Sequence, residues 1–207
     1  MKIIPRVLDL SHYDDVKDAF AGAKKMGIWG VVNKITEGFG GFDKSYGWRE
    51  KPLQDAGMLV GTYHFIRPGR ILDQARFYLA HTHVTNTLLA LDYEDAQVPL
   101  EDARSWLEYV HAQTGRWPKL YLGGAVRDQL KPSNKDPFWP NLDLWHPQYN
   151  ATPSKVPVQW KAPWLWQYTG DGLGPNPHTV PGIKPVGKLD INHFSGSLDE
   201  LKSRWAA

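Results

Sequence analysis

Apolar positions along this chain fall into short runs that alternate with stretches of helical period. "RVLDL" (6–10), "IWGVVNKI" (28–35), "LVGTYHF" (59–65), "TLLALDYE" (87–94) and "KLYLG" (119–123) have the length and near-continuous apolar character of strands buried on both faces. Between the first two, Val16, Ala19, Phe20 and Ala23 fall at helical spacing, and Gly27 supplies a stop. Helices are also predicted in "DKSYGWREKPLQDAG", "ILDQARFYLAHT" and "PLEDARSWLEYVHAQTG", with a short one after residue 123. Beyond about residue 131 the chain becomes loop-rich, punctuated by proline and aromatic residues. Strand candidates there are 142–146, 164–168 and 186–191, and "LDELKSRW" reads as a closing helix. Eight strands, the early ones alternating with helices, predict an α/β fold. Its form is a distorted single-domain (β/α) barrel, parallel in its strands, with degenerate helices in the C-terminal third. No internal repeat or low-complexity linker marks a second domain.

In such barrels the chemistry sits at the carboxyl ends of the strands. The candidate strand ends carry Asp9, then Lys34 and Glu37, His64, Asp92 with Glu94, Tyr121, Tyr149, Gln167 with Tyr168, and Asp190. Acids at one strand end are commonplace; Asp9, Asp92, Glu94 and Asp190 at several ends would meet at one mouth. Asp92 and Glu94 are two residues apart and share a face of their strand, with α-carbons about 6.5–7 Å apart. Like charges that close, partly buried, raise a carboxyl pKa and turn one acid into a proton donor near neutral pH. Asp95 points the other way and takes a structural part. His64 suits a hydrogen-bonded support better than a base, and no ligand spacing for a metal accompanies it.

Composition narrows the classes. There is no cysteine, which removes disulfides, thiolate metal sites and thiol nucleophiles. The formal net charge of +2, with its basic residues scattered, gives no footprint for nucleic acid. No Gly-x-Ser-x-Gly elbow supports a serine nucleophile, and "GFGG" (38–41) lacks the Lys-Ser/Thr of a phosphate loop. No cofactor, metal or membrane partner is expected. The first residues contain no apolar signal segment, which predicts synthesis in the cytoplasm without a leader. Ten tryptophans supply candidates for a ring-binding cleft. Tyr63, Tyr121, Trp166 and Tyr168 are candidate ring-stacking platforms or hydrogen-bond donors, with Gln167 and His64 beside them. Each is equally compatible with a place in the core.

"VLDLSHY" (7–13), "VVNKITEG" (31–38), "GTYHFIRP" (61–68), "LLALDYED" (88–95), "WQY" (166–168) and "GKLDINHF" (187–194) occur in this order. Together they resemble glycoside hydrolase family 25, the Chalaropsis-type lysozymes, over nearly the whole chain. The resemblance implies a distorted β/α barrel that cleaves the β-1,4 bond between N-acetylmuramic acid and N-acetylglucosamine in peptidoglycan. It maps the family's Asp-x-Glu onto Asp92 and Glu94, its first-strand aspartate onto Asp9 and its late aspartate onto Asp190. "LWHPQYN" departs from the family's Leu-Trp-x-Ala-x-Tyr, so Tyr149 is not carried over. On this basis Glu94 is expected as general acid and then base. Asp92 is expected to stay charged, either stabilising an oxocarbenium-like state or orienting the substrate's own N-acetyl group. Asp9 and Asp190 are expected as supporting carboxylates. The expected protein is a monomer, a single catalytic muramidase domain over 1–207 without a separate wall-binding domain, in the manner of a bacteriophage endolysin. It would act on the bacterial wall after release. A non-catalytic peptidoglycan-binding barrel and a chitinase-like glycosidase are the alternatives.

Overall fold

The computed structural model describes residues 4–16, 20–180, 183 and 188–207. Among the described residues nine strands form one sheet: β1 (Arg6–Leu10), β2 (Ile28–Glu37), β3 (Gly41–Phe42), β4 (Leu59–Phe65), β5 (Leu88–Tyr93), β6 (Lys119–Leu122), β7 (Leu144–Pro147), β8 (Leu165–Thr169) and β9 (Asp190–Phe194). Eight of them close into a barrel in the order β1-β9-β8-β7-β6-β5-β4-β2, with β2 pairing back onto β1. The two-residue β3 lies outside this ring. It pairs with Thr36 and Glu37 of β2, beyond the point where β1 has ended.

The expected strands are present, with one change of direction. β9 runs antiparallel to both of its neighbours, β1 and β8, so the barrel is mixed rather than wholly parallel. β9 is described from Asp190, and Val186 and Gly187 of the expected 186–191 segment lie outside the described residues. Of the helix anticipated around Val16, the described residues show one turn. α1 covers Phe20–Ala23 and is followed by a single 3₁₀ turn, Lys24–Met26, which Gly27 ends in the left-handed region at φ 79°. Ala19 lies outside the described residues.

The remaining helices follow the sequence pattern. α2 (Ser45–Asp55), α3 (Ile71–His81) and α4 (Leu100–Thr114) flank the early strands, α5 (Gly124–Arg127) is one turn, and α6 (Leu198–Trp205) ends the chain. In α4, Ala103, Trp106, Leu107 and Val110 are buried at the i, i+3, i+4, i+7 spacing of one helical face. α6 starts with a reciprocal capping box. The Ser197 hydroxyl accepts from the Glu200 N–H, and the Glu200 carboxylate accepts from the Ser197 N–H at 2.6 Å. Trp205 at its far end plugs the floor of the barrel and donates its indole N–H to the Val60 carbonyl at 2.7 Å. A side chain at Gly30 would lie 2.6 Å from that indole, so the strand passes the plug only as glycine.

Strand alternation sorts the core into layers. Val7, Val32, Leu88, Ala90, Trp145, Leu165 and Phe194 pack inside the barrel above Trp205. Their neighbours Leu8, Val31, Leu89, Leu91, Leu120 and Ile191 point outward into apolar layers that surround the sheet. Towards the carboxyl ends of the parallel strands the interior changes from apolar to acidic. Among the described residues no helix is long and apolar enough to cross a membrane.

Candidate active site

The acidic end of the barrel is a cavity lined by Asp9, Asp92, Glu94 and Asp190 together with Tyr63, Tyr121, Gln167 and others. Asp9 on β1 and Asp92 on β5 take inward positions by the same alternation that places Val7 and Ala90 inside. Glu94 follows Asp92 by two residues and remains on that face just past the end of β5. Asp190 arrives by a different route. As the first residue of the reversed strand β9, it lies at the mouth because β9 runs the other way, in register opposite Asp9.

A hydrogen-bond frame fixes Asp9. The Tyr121 hydroxyl donates to Gln167 Oε1 at 2.9 Å, and Gln167 Nε2 donates to both Asp9 oxygens at 3.0 and 3.1 Å. From the other side, the Trp145 indole N–H donates to Asn192 Oδ1, and Asn192 Nδ2 donates to Asp9 Oδ2, both at 2.6 Å. An indole only donates, so it turns the Asn192 amide with its NH₂ towards the carboxylate.

Burial governs the charge of this cluster. It pushes Asp9 up to about 7, against the lowering effect of its two amide donors. Burial, with Asp9 and Asp171 as neighbouring charges, pushes Asp190 up to about 9. Asp92 is raised well above the carboxylate range by burial and by the charge of Glu94, although the Lys34 ammonium opposes the shift. Glu94 is raised by burial too, although its contact with Asp92 lowers it, and the two acids crowd one shared site. The raised Asp92 runs against the expectation that it stays charged. The reason is depth: Asp92 is enclosed, whereas Glu94 is partly open to solvent. One buried oxygen, Asp92 Oδ1, has no hydrogen-bond partner among the described residues.

The raised values carry a stability prediction. Native pKa values of about 7 for Asp9 and about 9 for Asp190 exceed the ordinary 3.8, so the folded chain holds protons that the unfolded chain releases. Stability from these groups is complete below about pH 4, then declines as pH rises through the native values. The melting temperature is therefore expected to fall between about pH 5 and pH 9. Asp190→Asn should flatten that slope and raise the melting temperature near pH 8 by about 3–8 °C. A slope unchanged in Asp190→Asn would exclude this residue as its source.

Other expected site residues divide by strand parity. Tyr63, Tyr121 and Gln167 line the cavity. His64, Trp166 and Tyr168 do not; each neighbours an inward residue and so faces out. His64 is fully buried behind the sheet, 2.8 Å from Thr36 Oγ1 and 3.1 Å from Gln74 Oε1, and stacked on Trp106. Burial holds its pKa near 4, which keeps the imidazole neutral. Trp166 and Tyr168 belong to the outer apolar layer with Leu8 and Ile191, and Trp166 donates to the Gln148 carbonyl at 2.7 Å. Asp95 bonds to Arg67 at 3.1 Å, away from the cavity. Tyr149, a strand-end candidate not carried over from the family, lines the cavity as well, and two lining residues were not among those expected: Trp145 and Asp171. The inward parity of Trp145 and the Asp-Gly turn dipeptide just after β8 were the available signals.

Two glycines make room for the acids. A Cβ at Gly123, after β6, would fall 2.8 Å from the Glu94 side chain. At Gly170 it would meet the Tyr149 hydroxyl at 2.6 Å and Asp190 Oδ1 at 2.7 Å.

A cleft at a barrel mouth with facing carboxylates and a raised acid is the apparatus of a glycoside hydrolase. The chain belongs to glycosyl hydrolases family 25, whose family model matches residues 8–176. Solved structures share the fold over almost its full length. A bacterial lysozyme from Streptomyces coelicolor superposes with a TM-score of 0.81 at 22% identity, covering 98% of this chain and 97% of that one. A muramidase from Trichobolus zukalii gives 0.79 at 25% identity, covering 98% and 99%. The CTP1L endolysin gives 0.73 at 18% identity, covering 97% of this chain and 70% of that one. No curated protein sequence matches the chain.

Proposed function

We propose that this glycoside hydrolase is an N-acetylmuramidase that cleaves the β-1,4 bond between N-acetylmuramic acid and N-acetylglucosamine in peptidoglycan. Its biological use would be lysis of a bacterial cell, as an endolysin. The carrying observation is the division of labour between two acids on one face. Glu94, half-open, lines both the deep cavity and a shallower groove beside it, whereas Asp92 lies only in the deep cavity. A scissile bond lying across that junction would meet Glu94 first.

With the sugar ring in the cavity, its N-acetyl N–H would donate to the unpartnered Asp92 Oδ1. A donor there favours the charged form of Asp92 and transfers the shared proton to Glu94. Glu94 then protonates the leaving glycosidic oxygen while the N-acetyl carbonyl oxygen attacks the anomeric carbon, giving a cyclic intermediate. Water, deprotonated by Glu94, opens that intermediate and restores the acid. Two displacements at one carbon retain configuration. Asp9, held by its two amides, would face the developing positive charge, with Asp190, which burial keeps protonated near neutral pH, beside it.

The test is the new chain end. Peptidoglycan is digested, the reducing ends are reduced with borohydride, and the products are identified by mass. Reduced muramic acid is the expected result. Reduced glucosamine would indicate a glucosaminidase, and binding without new ends would indicate a wall-binding module.

A further inference from the structure

The groove beside the cavity has a chemistry of its own. It runs from Glu94 over Gly124 and Tyr149 to Arg127 and Lys155. The same two cations border the next depression, which adds Lys131 and the apolar side chains of Leu130, Val156 and Val158. The two depressions therefore meet at Arg127 and Lys155. Among the described residues none of Arg127, Lys131 and Lys155 has an acidic partner. Beyond Glu94 itself, the lining contains one opposing carboxylate, Asp128.

Local structure fixes the two central cations. Arg127 is the last residue of α5, the single turn that begins where Gly123 packs against Glu94. Lys155 follows Ser154, whose carbonyl accepts from His146 Nε2 of β7 at 2.8 Å. Elsewhere on this surface arginines are neutralised, as Arg67 is by Glu37 and Asp95, and Arg104 by Glu108 and Asp136. Unneutralised cations leading away from an acidic cavity would attract a substrate that is anionic on one side only.

We infer that this cationic groove is a specificity site for the carboxylate-bearing lactyl-peptide stem of the muramic sugar, at Arg127 and Lys155 with Lys131 further out. This rests on the muramidase reading and deepens it. A stem peptide combines carboxylates with small apolar side chains, matching the cations and the Val156–Val158 wall. A neutral chitin strand offers this groove nothing to bind.

The test compares soluble linear glycan strands that carry their stems with the same strands stripped by an amidase. Cleavage is followed by release of reducing ends, at low and high salt, for the natural chain and for Arg127→Gln/Lys155→Gln. Both side chains lie at the surface, and circular dichroism checks that the double variant folds. The natural chain is expected to prefer stem-bearing strands by about five- to tenfold in kcat/KM at low salt, the range that two exposed ion pairs supply. High salt should erode the preference by screening. The double variant should lose the preference through a higher KM on stem-bearing strands. Equal selectivity in the variant and the natural chain would overturn the inference while leaving the muramidase reading intact. Failure of the natural chain to cut either strand would overturn both.

Discussion

Glu94→Gln is expected to lower kcat on peptidoglycan strands by about a thousandfold, within the range typical of a lost general acid–base. The amide keeps the size and the packing against Gly123, so circular dichroism and melting temperature should stay near those of the natural chain. Binding of strands should persist, which separates chemistry from recognition. In the natural chain the rate should also fall on the alkaline side as Glu94 releases its proton. Its raised pKa places that limb above the ordinary glutamate range. Turnover within tenfold of the natural chain would remove Glu94 as the acid.

Arg49→Met should cause the largest loss of stability among single changes. Arg49 is fully buried, with its guanidinium enclosed by oxygen acceptors. Its Nε donates to the Val16 carbonyl at 2.6 Å, and Nη1 donates to the Ser11 carbonyl, Asn33 Oδ1 and Ser45 Oγ at 2.9, 2.7 and 2.9 Å. Nη2 donates to the Asp14 carbonyl. One side chain of α2 thereby holds the described stretch 11–16 that leaves β1. Methionine fills much of the volume but leaves buried oxygens unpaired, at a cost of about 3–5 kcal/mol. Thermal unfolding should register this as a melting temperature lower by roughly 10 °C. Lysine cannot reproduce the planar fork and should not rescue it. A loss below about 1 kcal/mol would mean that the loop is held by other contacts.

The fold was legible wherever period and length agreed. β5 is the plainest case: a continuous apolar run marks a strand covered on both faces, and its two acids mark where the strand leaves the interior. The direction of β9 was not legible, because alternation along a strand is the same whichever way the strand points. Position at a strand end brought Asp9, Asp92 and Glu94 to the cavity together with Tyr121 and Gln167, and aromatic character added Tyr63. The same two criteria also drew in His64, Trp166 and Tyr168. Parity separates these groups: adjacent residues of a strand cannot share a face, so Tyr63 and Gln167 facing inward turn their neighbours outward. Asp171 was missed because it belongs to a turn rather than a strand. It acts on Asp190 as a neighbouring charge and through its backbone N–H, which donates to Asp190 Oδ1 at 3.2 Å, and no local pattern encodes either.

The reversed last strand also bears on when the enzyme comes into being. Asp9 receives one of its two amide partners from Asn192 on β9, 183 residues away in the chain. A chain emerging from the ribosome carries Asp9, Asp92 and Glu94 long before the seam between β1 and β9 can form. Only when that seam closes do the four carboxylates crowd together and acquire the electrostatics of the finished cavity. A product truncated before β9 would lack Asp190, Asn192 and the strand that joins β1 to β8, and with them the finished cavity.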